Sequence, residues 1–230
     1  MKTIGMIGGM SWESSKIYYE LMNLKVKELL GGFHSCKCIM YSMDFAEVER
    51  LQSADDWAGL DVMMADAAMS LEQAGADGII LCTNTMHLSY KAILSEINIP
   101  FLHIADVVGE ALAKKNMQKV GLLGTRFTME KGFYAEFLTN GYGVDVIIPS
   151  EKERETVHNI IYGELVHGKI LDESREKYKE IIGNLAVRGA QGVVLGCTEI
   201  PLLISSQDAS IPVFDTTQLH AEYAVTWALG

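Results

Sequence analysis

Short unbroken aliphatic runs alternate along this chain with longer stretches whose apolar residues recur at helical spacing. The runs predict strands at residues 3–7, 38–43, 78–82, 101–104, 119–123, 144–148, 192–195 and 213–214. They show no polar alternation, as expected of strands covered on both faces of a parallel sheet. The periodic stretches predict helices near residues 14–30, 56–74, 86–96, 106–115, 129–140, 154–167, 172–188 and 218–229. In the first, Tyr18, Leu21, Met22, Lys25 and Val26 share a spacing that Gly31-Gly32 ends, and Gly75 ends the second. Alternation of this kind predicts an α/β fold of mainly parallel sheets flanked by helices.

The pattern also repeats. Gly75-Ala76-Asp77-Gly78-Ile79-Ile80-Leu81-Cys82-Thr83-Asn84-Thr85 matches Gly189-Ala190-Gln191-Gly192-Val193-Val194-Leu195-Gly196-Cys197-Thr198-Glu199 at a constant offset of 114 positions. Ile4-Gly5-Met6-Ile7-Gly8 matches Val120-Gly121-Leu122-Leu123-Gly124 at 116, and Ile99-Pro100-Phe101 matches Ile211-Pro212-Val213 at 112. Three landmarks in one order predict two pseudo-symmetric α/β domains. The first comprises residues 1–105 plus 212–230 and the second residues 106–211, with a cleft between them.

In open α/β sheets, ligands bind beyond the carboxyl ends of the strands. The segments expected there are Gly8-Gly9-Met10-Ser11, Asp44, Thr83-Asn84-Thr85, Gly124-Thr125-Arg126 and Cys197-Thr198-Glu199. Cys197 is either a reactive thiol or a small core residue. The repeat sets Thr83 opposite it in register, and Cys82 falls one place too early. Adjacent strand residues point to opposite faces, so Cys82 belongs to the core. Thr83 can donate and accept hydrogen bonds, or merely cap a turn. Asn84, Thr85 and Thr198 offer donors to a carboxylate, or helix caps. Glu199 is a proton partner for Cys197 or a first-turn acid. Arg50 and Arg126 are candidate carboxylate clamps.

Composition narrows the partners. The chain has 230 residues, 49% hydrophobic and 21% charged, which suits a globular protein with a sizeable core. A net charge of −11 offers no basic patch for nucleic acid or an anionic membrane. No apolar run reaches the roughly 18 residues of a membrane span. The chain opens on a strand-like segment, not a charged leader, so a cytoplasmic protein is expected. Cys36, Cys38, Cys82 and Cys197 fit neither a disulfide framework nor a paired zinc motif. His87, His103 and His220 lie near strand ends without metal-ligand spacing, so no metal is expected. Gly8-Gly9 lacks both nucleotide-binding glycine patterns, so a tight turn allowing close ligand approach is expected there.

Gly8-Gly9-Met10-Ser11-Trp12-Glu13-Ser14, Cys82-Thr83-Asn84-Thr85-Met86-His87 and Gly196-Cys197-Thr198-Glu199-Ile200-Pro201 together resemble the aspartate/glutamate racemase family, which works without pyridoxal phosphate. The resemblance spans essentially the whole chain. It is strongest to the L-aspartate/glutamate-specific, broad-specificity amino-acid racemase branch, with Thr83 in place of the first catalytic cysteine. It implies an isomerase acting on an amino acid held between two domains, usually as a homodimer. It implies α-proton transfer by Cys197 on the L face and Thr83 on the D face. Thr83, Asn84, Thr85, Thr198 and Glu199 would surround the substrate's polar groups, and Met10 and Gln52 would line the pocket. His167 stands where many aspartate racemases carry a lysine for the distal carboxylate. Replacing one thiol by threonine implies a racemase faster from the L side. A cysteine-dependent decarboxylase or cis–trans isomerase of a small diacid, or a dicarboxylate-binding protein without catalysis, would share these features.

Overall fold

A computed structural model describes all 230 residues, which divide into two compact units. The first contains Met1–Ile104 and His220–Gly230, the second Ala105–Leu219.

The first unit runs β1 (Ile4–Gly8), α1 (Trp12–Leu30), β2 (Cys38–Ser42), α2 (Phe45–Ser53), α3 (Trp57–Gln73), β3 (Gly78–Leu81) and α4 (Tyr90–Glu96). Its sheet has the order β2-β1-β3, all parallel, with Ile4 beside Cys38 and Gly78. All five residues of β1 are buried, so the strand needs covering on both faces. Ile7, Ile79 and Leu81 pack with Leu60, Met64 and Leu71 of α3. Ile4, Met6, Ile80 and Cys82 face the other way, against Tyr18 and Met22 of α1. Cys82 is fully buried in this second layer, where burial pushes its thiol pKa up.

The second unit contains all but the first residue of α5 (Ile104–Lys114), then β4 (Lys119–Gly124), α6 (Arg126–Glu130), α7 (Phe133–Tyr142), β5 (Asp145–Ile147), α8 (Glu151–Gly163), α9 (Asp172–Val187), β6 (Val193–Gly196) and β7 (Val213–Asp215). Its parallel sheet has the order β5-β4-β6-β7. Leu123, Val193 and Leu195 pack against Ile160, Tyr178, Ile182 and Leu185. The last helix, α10 (Thr216–Leu229), starts in the second unit and continues into the first. No helix is long and apolar enough to cross a membrane.

The sequence repeat has a structural counterpart in each helix-to-strand link. Gly75 and Gly189 both have φ of 93°. In each, the glycine N–H reaches back to the third residue before it (Glu72, Ala186), and the next N–H reaches Leu71 or Leu185. Both α3 and α9 are therefore closed by the same left-handed glycine cap, which aims the chain into β3 or β6.

Four sequence expectations are corrected. Residues 212–219 belong to the second unit, because β7 pairs with β6 from Val193↔Val213 to Leu195↔Asp215. Residues 101–104 form a single bridge, Ile79↔Phe101, and Ile104 already opens α5. The helix expected at 129–140 is two helices, parted by Gly132 at φ 74°. The one expected to reach His167 ends at Gly163, and a 3-10 turn follows at Leu165–His167. The sequence reading also missed α2, capped by the Asp44 carboxylate on the Ala46 N–H (3.1 Å).

A buried histidine cluster lies in the first unit. His87 Nε2 accepts from the Ile104 N–H (3.2 Å), so Nδ1 carries the proton and donates to the Thr83 carbonyl (2.8 Å). His220 Nε2 donates to the Leu102 carbonyl (2.8 Å), and its Nδ1 accepts from the Tyr18 hydroxyl (2.9 Å). The His103 ring packs edge-on to His87 at 4.7 Å. Burial holds all three neutral, lowering His87 well below the ordinary range, His103 to about 3 and His220 to about 4.

An unfolded histidine titrates near about 6.5, so below that pH the unfolded chain binds protons that the folded chain refuses. The stabilisation is whole above about pH 6.5 and is lost as pH falls toward the folded values, by up to about 1.4 kcal/mol per unit for each histidine. Urea denaturation should show stability declining between about pH 6.5 and 5, before carboxylates titrate appreciably. Unchanged stability there, with imidazole resonances titrating normally, would contradict the buried neutral cluster.

Candidate active site

Four turns leave the carboxyl ends of the central strands, two in each unit. In the first unit, β1 ends at Gly8 and turns through Gly9, whose φ is 89°. A side chain at Gly9 would run into the backbone of Met43, so only glycine lets the two strand ends pass this closely. Ser15 Oγ accepts from the Gly9 N–H (2.8 Å) and donates to the Ser11 carbonyl (3.0 Å). Ser14 Oγ donates to the Cys82 carbonyl (2.8 Å), tying the start of α1 to the end of β3. The adjacent Met10–Ser11 peptide is cis.

Beyond β3 the chain passes through Thr83 and Asn84 into a 3-10 turn at Thr85–Ser89. Thr83 is half-buried, whereas Asn84 and Thr85 are buried. Met86 of this turn packs with Met10 and Leu51, and accepts a Gln52 Nε2 hydrogen bond at its sulfur (3.3 Å). The structure thus gathers Met10, Gln52 and the Thr83-Asn84-Thr85 turn in one unit. Gln52 Oε1 is buried without a hydrogen-bond partner, an acceptor that a ligand donor would satisfy. Arg50, on the same helix, is exposed.

In the second unit, a Cβ on Gly124 would meet the Gly196 carbonyl at 2.8 Å, so β4 and β6 also end in close contact. Thr125 caps α6 by accepting from the Thr128 N–H (3.2 Å). Arg126 is exposed, and its backbone N–H donates to His158 Nδ1 (3.2 Å). The turn after β6 pairs a thiol with a carboxylate. Cys197 is 7% exposed, and its sulfur lies 3.0 Å from Glu199 Oε2. Thr198 Oγ1 donates to the same oxygen (2.8 Å). Pro201 follows in a 3-10 turn at Ile200–Leu202.

Burial pushes the Cys197 thiol well above its ordinary pKa, and the nearby Glu199 carboxylate adds to this. The backbone N–H groups of Glu199 and Ile200 oppose the rise by stabilising a thiolate. The resting thiol is therefore protonated, a donor to Glu199, with thiolate-stabilising amides in place. His167 lies at the end of the Leu165–His167 turn and is exposed, while Leu165 packs in the core that contains Cys197.

Sequence reasoning found the turns but missed how Ser14 and Ser15 hold the first of them and how His87 holds the second. The signal for the serines was present in Ser11-Trp12-Glu13-Ser14-Ser15, where a cap is followed by small hydroxyl residues. For His87 the sequence could not show the second partner, because Ile104 is 17 positions away. An open groove lined by Asp61, Asp66, Met69, Ala92 and Glu96 contains none of the turn residues.

The chain as a whole is similar to known proteins. The Asp/Glu/Hydantoin racemase family profile matches residues 7–224. A Yersinia pestis protein of known crystal structure is 49% identical, with all of both chains covered and a TM-score of 0.94. An aspartate racemase homologue from Pyrococcus horikoshii OT3 is 34% identical over the full length of both chains, with a TM-score of 0.86. The broad specificity amino-acid racemase of Bacillus subtilis (strain 168) is 22% identical, covering 99% of this chain and 98% of its own. With the profile spanning both units and all four turns, the chain belongs to the Asp/Glu/hydantoin racemase family of isomerases.

Proposed function

We propose that this chain is a cofactor-independent racemase of aspartate or glutamate, in which Cys197 and Thr83 move the α-proton on opposite faces. One observation carries the reading. Two register-equivalent turns end β3 and β6, and one of them presents a thiol hydrogen-bonded to a buried carboxylate. That is a proton donor with its acceptor already in place.

In this reading the substrate ammonium, brought against the sulfur, favours the thiolate and offsets its burial. Glu199 takes the thiol proton. The thiolate then removes the α-proton of the L-enantiomer, and negative charge moves onto the α-carboxylate. Donors from Asn84, Thr85 and Thr198 stabilise that charge as it develops. The Thr83 hydroxyl protonates the opposite face. Met10 lines the pocket, Gln52 Oε1 accepts from the ammonium, and His167 serves the distal carboxylate. The resulting threonine alkoxide is costly, which makes the Thr83 step the harder one.

Enantiomers have equal free energy in water, so kcat/KM must be the same in both directions. The asymmetry belongs to kcat and KM separately, with the larger kcat from the L side. By family resemblance we also place the protein in the cytoplasm as a homodimer, whose mass would be twice 25.4 kDa by light scattering.

Chiral chromatography of aspartate and glutamate tests the reading. Cys197→Ser should lower turnover at least about 100-fold, and Thr83→Ala should also lower it. Undiminished turnover in Cys197→Ser would contradict the assignment, as would carbon dioxide release or binding without proton exchange.

Glu199→Gln separates two effects. Removing the carboxylate lowers the thiol pKa, so alkylation of Cys197 by iodoacetamide near neutral pH should speed up. Turnover should nevertheless fall, because the proton acceptor is gone. Slower alkylation, or unchanged turnover, would contradict the role given to Glu199.

A further inference from the structure

The two strand-end turns are held by different means. At the repeat offset of 114, Thr83 corresponds to Cys197, Thr85 to Glu199 and His87 to Pro201. In the second unit the proline fixes one backbone angle at the start of a 3-10 turn. In the first unit the corresponding place is taken by a buried imidazole with both ring nitrogens engaged.

His87 has no freedom of tautomer. Its Nε2 accepts from the Ile104 N–H, and an atom that accepts cannot also carry the ring proton of a neutral imidazole. The proton is therefore on Nδ1, 2.8 Å from the Thr83 carbonyl oxygen. Phe101, His103 and His220 surround the ring edge-on, with centroids 5.5, 4.7 and 5.9 Å away, and prevent it from swinging aside. The ring thus links the Thr83 peptide to the segment that opens α5. Ser14 holds the adjoining Cys82 carbonyl in the same manner (2.8 Å), so two successive carbonyls at the end of β3 have side-chain donors.

We infer that His87 is the positioning residue of the Thr83 turn, holding the Thr83 peptide through its Nδ1–H so that the threonine hydroxyl is correctly aimed. The inference rests on the proposed proton-transfer role of Thr83. His87 itself touches no substrate and moves no proton. Its ring cannot give up the Nδ1 proton without losing the bond to Thr83, nor accept one at Nε2 without losing the bond from Ile104.

Two variants separate positioning from simple core packing. The Asn side-chain amide overlays the position of Nδ1, so His87→Asn keeps a donor for the Thr83 carbonyl and loses the acceptor for Ile104. The longer Gln side chain overlays Nε2, so His87→Gln does the reverse. Each variant gives up one buried hydrogen bond, and thermal unfolding should move down similarly in both. His87→Asn should keep kcat within about threefold of the parent enzyme, whereas His87→Gln should lose at least about tenfold in kcat with little change in KM. Amide hydrogen exchange of Asn84 and Thr85 should quicken in His87→Gln alone. Equal loss of kcat in both variants, or rescue by Gln and not Asn, would overturn the inference.

Should either variant fail to fold, imidazole nitrogen NMR of the parent protein decides the same point. A neutral Nδ1–H tautomer between about pH 6 and 8 is expected, and the Nε2–H tautomer or a titrating ring overturns the inference. If the parent protein racemises no amino acid, the racemase reading fails. The tautomer and the amide exchange then still decide whether His87 holds this turn.

Discussion

The parallel pairing of β1 with β3, and of β4 with β6, is the constraint on which the rest depends. A buried parallel strand satisfies its backbone only against its neighbours, so the register is fixed and each strand ends at a defined residue. Where β3 and β6 stop, the chain turns into a short helical segment, with Thr83 two residues beyond the end of β3 and Cys197 directly after β6. Gly9 lets the ends of β1 and β2 come together at Met43, and Gly196 lets the end of β6 approach β4 at Leu123. The chemistry follows from where the sheets stop.

Within this shared frame the two turns have diverged as units. The second has a thiol, a carboxylate two residues on and a proline after that. The first has a hydroxyl, Thr85 where the carboxylate would be, and His87 where the proline would be. A thiol with a raised pKa needs a nearby acceptor, and Glu199 is 3.0 Å away. A hydroxyl that works by donating a proton gains more from accurate aim than from a base. This is the division of labour that we propose for Glu199 and His87, and it makes the asymmetry a property of whole turns.

Much of this was legible in the sequence because it is local. The aliphatic runs, the helix-stopping Gly75 and Gly189, and the constant offset between halves each depend on residues adjacent in the chain. The placement of Cys82 in the core followed from strand alternation, and the structure packs it there. Non-local features were not legible. Strand β7 read as part of the first domain because only tertiary pairing with β6 fixes its place. The short helix α2, which carries Gln52, has too few turns to show a period. Residues 101–104 read as a strand by composition, yet His87 binds Ile104 as a helix start. The two readings that sequence leaves open for Glu199 cannot be told apart from its position in the chain; in the structure its carboxylate and the Cys197 thiol are both buried and 3.0 Å apart.

The central claim is that two different groups work on opposite faces of the α-carbon. Its most direct test is to start from pure L- or D-aspartate in deuterium oxide and follow the deuterium separately in recovered substrate and in product by NMR, before equilibrium. A group that holds only the proton it removed can return only that proton, whereas the opposite group has equilibrated with solvent. The account predicts deuterium in the product from the first turnovers and very little in recovered substrate, from either enantiomer. Deuterium entering substrate and product equally fast would point to one base acting on both faces, and would contradict the account.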